Sequence, residues 1–145
     1  MKRIFLAILA VALVTSLNTA SVCRGEERNT STPDKALIGH WRFSDTQKEI
    51  YFSTDRKVVQ VNGEDGTSLT GEYVYESTDN HPDEMKTALK EMGIVGVVVL
   101  FYSGSDVTML FKFSPDYQVM DGILLLGETE MIDYKLDYID GKQKP

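Results

Sequence analysis

Residues 67–77 read TSLTGEYVYES. In an extended chain Tyr73 and Tyr75 fall on one side, and Glu72, Val74 and Glu76 on the other. Alternation with period two marks a half-buried antiparallel strand. Just upstream, Asn62-Gly63 and Asp65-Gly66 supply residues that tolerate positive φ, as a hairpin connection needs. Before that turn lie three more short strands: residues 57–62 (KVVQVN), residues 48–53 (KEIYFS, with Ile50 and Phe52 sharing a face) and residues 39–43.

Downstream the period changes once. Residues 80–93 carry Pro82 near a helix start, acids in the first turn and Gly93 just past the end. Met85, Ala88, Leu89 and Met92 fall on one helical stripe. The spacing predicts a short amphipathic helix acting as a lid or plug on a core. Strands then resume. Residues 94–103 (IVGVVVLFYS) are apolar on both faces, so this strand is expected to be covered on both sides, with Gly96 letting the helix come close. Residues 107–113 place Val107, Met109, Phe111 and Phe113 on one face, and Ser114-Pro115-Asp116 makes the next turn. Residues 117–126 (YQVMDGILLL) are either one strand with a bulge at Asp121-Gly122 or a tight hairpin there. Residues 129–139 turn Ile132, Tyr134, Leu136 and Tyr138 inward and Asp133, Lys135 and Asp137 outward.

The pattern is mainly β: eight strands, joined by short links except where one short α-helix separates strands four and five. Short links make sequential neighbours antiparallel. An up-and-down eight-stranded barrel removes exposed edges and is the expected architecture. A two-sheet sandwich is the alternative.

The chain begins MKRIFLAILAVALVTSLNTASVCRG. Lys2 and Arg3 precede an unbroken apolar run from Ile4 to Val14, followed by small residues, which is the layout of a secretory signal peptide. The run falls short of the ~20 residues of a membrane span. The expected organisation is a signal peptide over 1–25, a flexible tether over 26–36, the barrel over 37–140 and a disordered tail over 141–145. The expected location is secreted or periplasmic. Cys23, the lone cysteine, offers a membrane-anchored lipoprotein as the alternative, although Ala20-Ser21-Val22 before it and Arg24 after it fit a lipobox only loosely. A single thiol forms no intramolecular disulfide.

Of the 15 basic residues in the chain, the leader takes Lys2, Arg3 and Arg24 and no acid; the remaining 15 − 3 = 12 face 22 acids, a net charge of −10. Such a surface repels nucleic acid and anionic head groups. The expected partners are a small hydrophobic ligand or another exported protein, with no nucleic acid and no membrane span.

Gly39-His40-Trp41 resembles the G-x-W that opens the first strand of lipocalins and related calycin barrels, and Pro115-Asp116-Tyr117 resembles that family's T-D-Y loop. The family-motif residues are thus Gly39, Trp41, Asp116 and Tyr117. The resemblance implies a barrel with Trp41 across its closed end, close to the compact lipocalin-like domains of bacterial exported proteins. The basic residue that stacks on the family's tryptophan after the last strand has no counterpart at that position. A helix between strands four and five is also foreign to the family.

Catalytic chemistry finds little support in the residues. His40, outward beside Trp41, and His81, before Pro82, read as solvated or capping groups. Glu128, Glu130, Asp133, Asp137 and Asp140 read mostly as a solvated face. Gly63-Glu64-Asp65-Gly66 is a turn of the wrong charge for phosphate. No catalytic residue, metal or cofactor is expected, and the protein is read as a binder, not an enzyme. The expected ligand-binding residues are Trp41, Phe52, Tyr73, Tyr75, Met109, Phe111, Tyr134 and Tyr138, with Trp41 closing one end of the barrel and the helix near the other. A small barrel either fills with side chains or holds one small ligand, and the sequence leaves both open.

Overall fold

A computed structural model describes residues 28–141. The expected signal peptide, Cys23 and residues 142–145 lie outside the described residues. Eight strands follow in chain order: β1 (Gly39–Phe43), β2 (Glu49–Phe52), β3 (Lys57–Val61), β4 (Ser68–Ser77), β5 (Gly96–Tyr102), β6 (Ser105–Phe113), β7 (Val119–Leu126) and β8 (Glu130–Asp140). Each pairs antiparallel with the next, and β8 returns to β1 to close the barrel. This is the up-and-down barrel, not the sandwich.

Among the described residues two α-helices are present, α1 (Pro33–Leu37) before β1 and α2 (Asp83–Glu91) between β4 and β5, with a short 3-10 helix at Thr78–Asn80 leading into α2. Within the expected 117–126 segment one strand runs from Val119 to Leu126, and the ladder runs in unbroken register through Lys112↔Asp121 and Phe111↔Gly122, without bulge or hairpin. A Cβ at Gly122 would lie 1.9 Å from the Leu110 carbonyl oxygen, so the strand passes too close to β6 there for any side chain.

Strand direction fixes the two ends. The start of β1, the links β2–β3, β4–β5 and β6–β7, and the end of β8 share one end. The other four links share the opposite end. The first end is packed solid. Trp41, Phe52 and Phe111 have no exposed surface and Tyr73 has 1%. Trp41 meets Tyr138 edge-on at 5.2 Å and Phe113 at 5.9 Å, and Phe52 meets Tyr73 edge-on at 5.2 Å. Such pairs add about 0.5–1.5 kcal/mol to the burial of each ring.

The stretch expected to be a tether is partly structured and forms part of this closure. Pro33 occupies the first turn of α1, where its missing N–H costs nothing. The helix drives Ala36 and Leu37 to full burial, and Trp41 donates its indole N–H to the Leu37 carbonyl at 2.8 Å.

Helix α2 is stopped by Gly93 at φ 72°, with Gly93 N–H donating to Lys90 O and Ile94 N–H to Leu89 O, a Schellman ending. The expectation that α2 plugs the far end does not hold. It follows β4 and therefore sits at the same end as Trp41, against the outer wall. Leu89 alone of its stripe is buried, in a small cluster with Ile94, Val97 and the partly buried Leu110. Met85 and Met92 remain 52% and 46% exposed. Likewise β5 is covered outside only near Val97, while Phe101 is exposed. Gly96 faces inward, and the rings of Tyr75 and Phe111, not the helix, occupy the space beside it.

Candidate functional site: the open mouth of the barrel

At the other end the interior is not filled. A pocket of about 340 Å³ opens between the four turns there. Ile50, Leu100 and Met109, each no more than 2% exposed, are the most buried of its lining residues. Val107, Leu124 and Leu126 continue the wall, and the half-exposed Leu69 and Ile132 stand on strands β4 and β8, diametrically opposed in the barrel order. These side chains come from the inward set of alternating strands, so the same period that builds the core builds the cavity. Asp45, Thr46 and Lys48 from the β1–β2 connection, with Gln60, Ser105 and Asp133, supply the polar lining.

Two phenols belong to this wall. Tyr134 is 8% exposed and donates a long hydrogen bond to Leu110 O at 3.4 Å. Tyr102 is 7% exposed, and its hydroxyl has no partner. Burial pushes both phenols well above the ordinary tyrosine value, for Tyr134 with a smaller contribution from Asp121. Both stay protonated donors.

Of the eight residues expected to bind ligand, Met109 and Tyr134 line this pocket. Trp41, Phe52, Tyr73 and Phe111 belong to the packed core, with Tyr75 and Tyr138 packed against it. The missed lining residues, Ile50, Leu100, Tyr102, Val107, Leu124 and Leu126, had a signal in the sequence. They are inward residues at the strand ends that meet the 44–48, 103–104 and 127–129 turns.

The motif residues close the opposite end. Gly39 adopts φ 131°, and a Cβ there would lie 2.8 Å from the Tyr138 ring. Asp116 accepts from Ser114 Oγ at 2.6 Å and from Gln118 N–H at 3.1 Å, while the Tyr117 ring packs 5.3 Å from Phe113. A basic residue does stack on Trp41. It is Arg28, which comes before the first strand, with its guanidinium 4.6 Å from the indole and 3.7 Å from the Tyr138 ring.

His40 is outward as expected but not solvated. It is 8% exposed, stacked 4.1 Å from Tyr51, with Nε2 2.9 Å from Glu49 Oε2 and Nδ1 3.6 Å from Asp140 Oδ1. Arg42 donates twice to Glu49 Oε1, and Tyr51 donates to Glu49 Oε2 at 3.0 Å. This network ties β1 to β2 and β8 on the outer wall, away from the pocket. His81 Nε2 stands 3.8 Å from Glu76 Oε2. Among the described residues no group of three or more His, Cys, Asp or Glu side chains is placed to hold a metal ion, and no helix is long and apolar enough to cross a membrane.

No family model, no curated protein and no solved structure matches this chain. Its class is therefore defined by geometry: a closed antiparallel barrel, packed at one end and open at the other.

Proposed function

We propose that this is an exported, non-enzymatic, lipocalin-like barrel that binds one small hydrophobic ligand in its open half. The observation that carries the reading is the mouth pocket of about 340 Å³, apolar at its base and polar in part of its lining. Sites of a few hundred Å³ with mostly apolar walls and a few polar groups are the usual form of small-molecule pockets. The leader-like N-terminus supports export, and the G-x-W resemblance is supported by the position of Trp41 in the closed end.

The test uses the single tryptophan. An apolar dye bound in the mouth accepts energy from Trp41, saturates at one dye per chain and is displaced by the natural ligand extracted from the host. Absence of saturable transfer, together with equal native and denatured masses for protein from its own host, overturns the reading. A second reading, engagement of another exported protein, is favoured by Val74 and Phe101, which are 49% and 43% exposed on the outer faces of adjacent strands. Cross-linking to one partner without dye uptake is its expected signature.

A further inference from the structure

We propose that the Tyr102 hydroxyl makes the mouth pocket selective for a neutral ligand: a compact apolar body carrying one hydrogen-bond acceptor, such as a ketone, ester or amide carbonyl. The inference rests on the reading of the mouth as a ligand site and adds what that ligand must carry.

Among the described residues, the buried side-chain polar atoms with neither a hydrogen-bond nor an ion-pair partner are Arg28 Nε and Tyr102 Oη, since His40 Nε2 faces Glu49 and His81 Nε2 faces Glu76. Only Tyr102 belongs to the pocket wall. It shares the inward face of β5 with Val98 and Leu100, four and two residues before it, and its ring lies over Gly71, whose absent side chain leaves the room. The neighbouring strands do not supply an acceptor. Residue 102 pairs with Gly71 on one side and Ser105 on the other, so the backbone there is engaged in the ladder. A buried donor left unpaired is destabilising, and a ligand acceptor removes that penalty on binding. Tyr134, the other phenol in the wall, already donates to Leu110 O.

The charge of the lining argues for a neutral acceptor. Asp45 and Asp133 outnumber Lys48 there, and the whole chain carries −7. A carboxylate ligand meets net repulsion. An ammonium could donate to the phenol oxygen but would leave the Tyr102 O–H still without an acceptor. Burial raises the phenol far above neutrality, so the hydroxyl remains a donor across the physiological range.

Three probes of nearly equal shape test this by calorimetry: a naphthyl methyl ketone, its isopropenyl isostere with CH₂ in place of the carbonyl oxygen, and the naphthoate anion. On the wild type the ketone is expected to bind about tenfold more tightly than the isostere, the effect of roughly one buried hydrogen bond, and naphthoate more weakly than the ketone. Tyr102→Phe is expected to bring ketone and isostere together, leave the isostere's affinity within about twofold, and melt at or above the wild-type temperature because the orphan hydroxyl is gone. Equal binding of ketone and isostere to the wild type, or a ketone preference that survives in Tyr102→Phe, overturns the inference while the pocket reading stands. If none of the three binds the wild type, the pocket reading falls and the inference with it.

Discussion

Arg28 is stacked on Trp41, its guanidinium carbon 4.6 Å from the indole centroid, and it bridges to the carbonyls of Ala36 and Tyr117. A residue from outside the barrel thereby joins the N-terminal segment, the first strand and the β6–β7 turn. Burial lowers its pKa from the usual arginine value, with Tyr138 opposing, yet the group stays charged. Cation–π contacts of this kind contribute about 0.5–2 kcal/mol each. Arg28→Ala is expected to destabilise by about 2 kcal/mol and to redden Trp41 emission as water reaches the indole. Arg28→Lys, which keeps the charge and loses the planar fork, is expected to fall between. Thermal unfolding followed at Trp41 checks both; an Arg28→Ala protein that melts with the wild type removes the stack from the account.

Glycines at matched chemistry but different surroundings should separate packing from backbone strain. A Cβ at Gly96 would lie 2.6 Å from Tyr75 Cε2 and 2.8 Å from Phe111 Cζ. Gly96→Ala therefore forces two core rings aside, and overpacking of this kind costs about 1–3 kcal/mol. Gly104 has φ 91° and nothing within 4 Å of a Cβ, so Gly104→Ala meets only the left-handed penalty of about 1–2 kcal/mol. Both variants should melt lower. Only Gly96→Ala should alter the near-ultraviolet circular dichroism of the aromatic core.

The barrel was legible because its strands obey period two almost throughout. Tyr73, Ile50, Met109 and Leu136 all turn inward as their alternation demands. Residues 117–126 were ambiguous because Asp-Gly is both a hairpin signal and a tolerable strand pair; pairing with β6 in continuous register decides it, with Gly122 set against the Leu110 backbone. The division of the interior was harder to see. Periodicity gives the face of a residue but not its height in the barrel, so it does not separate Phe52 and Tyr73, packed towards the closed end, from Tyr134 and Met109, which reach the mouth pocket. Height follows from strand direction, and counting alternate turns would have put α2 beside Trp41. The burial of His40 was not legible, because Glu49 and Tyr51 reach it only once the β1–β2 register is set and Asp140 only when β8 closes on β1.

That network sets a dependence on pH at both extremes. Burial acts to raise the Glu49 pKa, but hydrogen bonds from Arg42, Tyr51 and His40 outweigh it and hold the carboxyl below its ordinary value. The folded chain then binds this proton less readily than the unfolded chain. Its contribution to stability is complete above the unfolded value of about 4.3 and disappears as pH falls through the folded one. Tyr51 behaves in the opposite sense. Burial first, and then Glu49, pushes its phenol up to about 12. The unfolded chain loses that proton near pH ~10, so stability is complete below that point and is lost as pH rises toward the folded value. Melting temperatures measured against pH are expected to show a shallower acid limb in Glu49→Gln and a shallower alkaline limb in Tyr51→Phe. Unchanged limbs would mean that the network is too screened by solvent to matter.

The mouth pocket itself can be narrowed without disturbing the core beneath it. Leu124 is partly exposed and lines the wall on β7, cross-strand from Met109 and Ile132. Its side chain borders empty space, so a larger group there has somewhere to go, unlike at Phe52 or Phe111. Leu124→Trp puts an indole in place of an isobutyl group and narrows a cavity of about 340 Å³. Filling a cavity with apolar atoms recovers contacts that the empty space forfeits, so the variant is expected to melt within a few degrees of the wild type, or higher. Ligand binding, read by dye fluorescence excited directly and not through tryptophan, is expected to weaken by about tenfold, because the indole blocks part of the apolar wall that the ligand would cover. Substitution of the same size on the outer wall, Val99→Trp, enlarges a half-buried side chain away from the mouth and should leave binding unchanged. If Leu124→Trp binds the dye as well as the wild type does, the dye sits on the outer surface and the pocket is not the site.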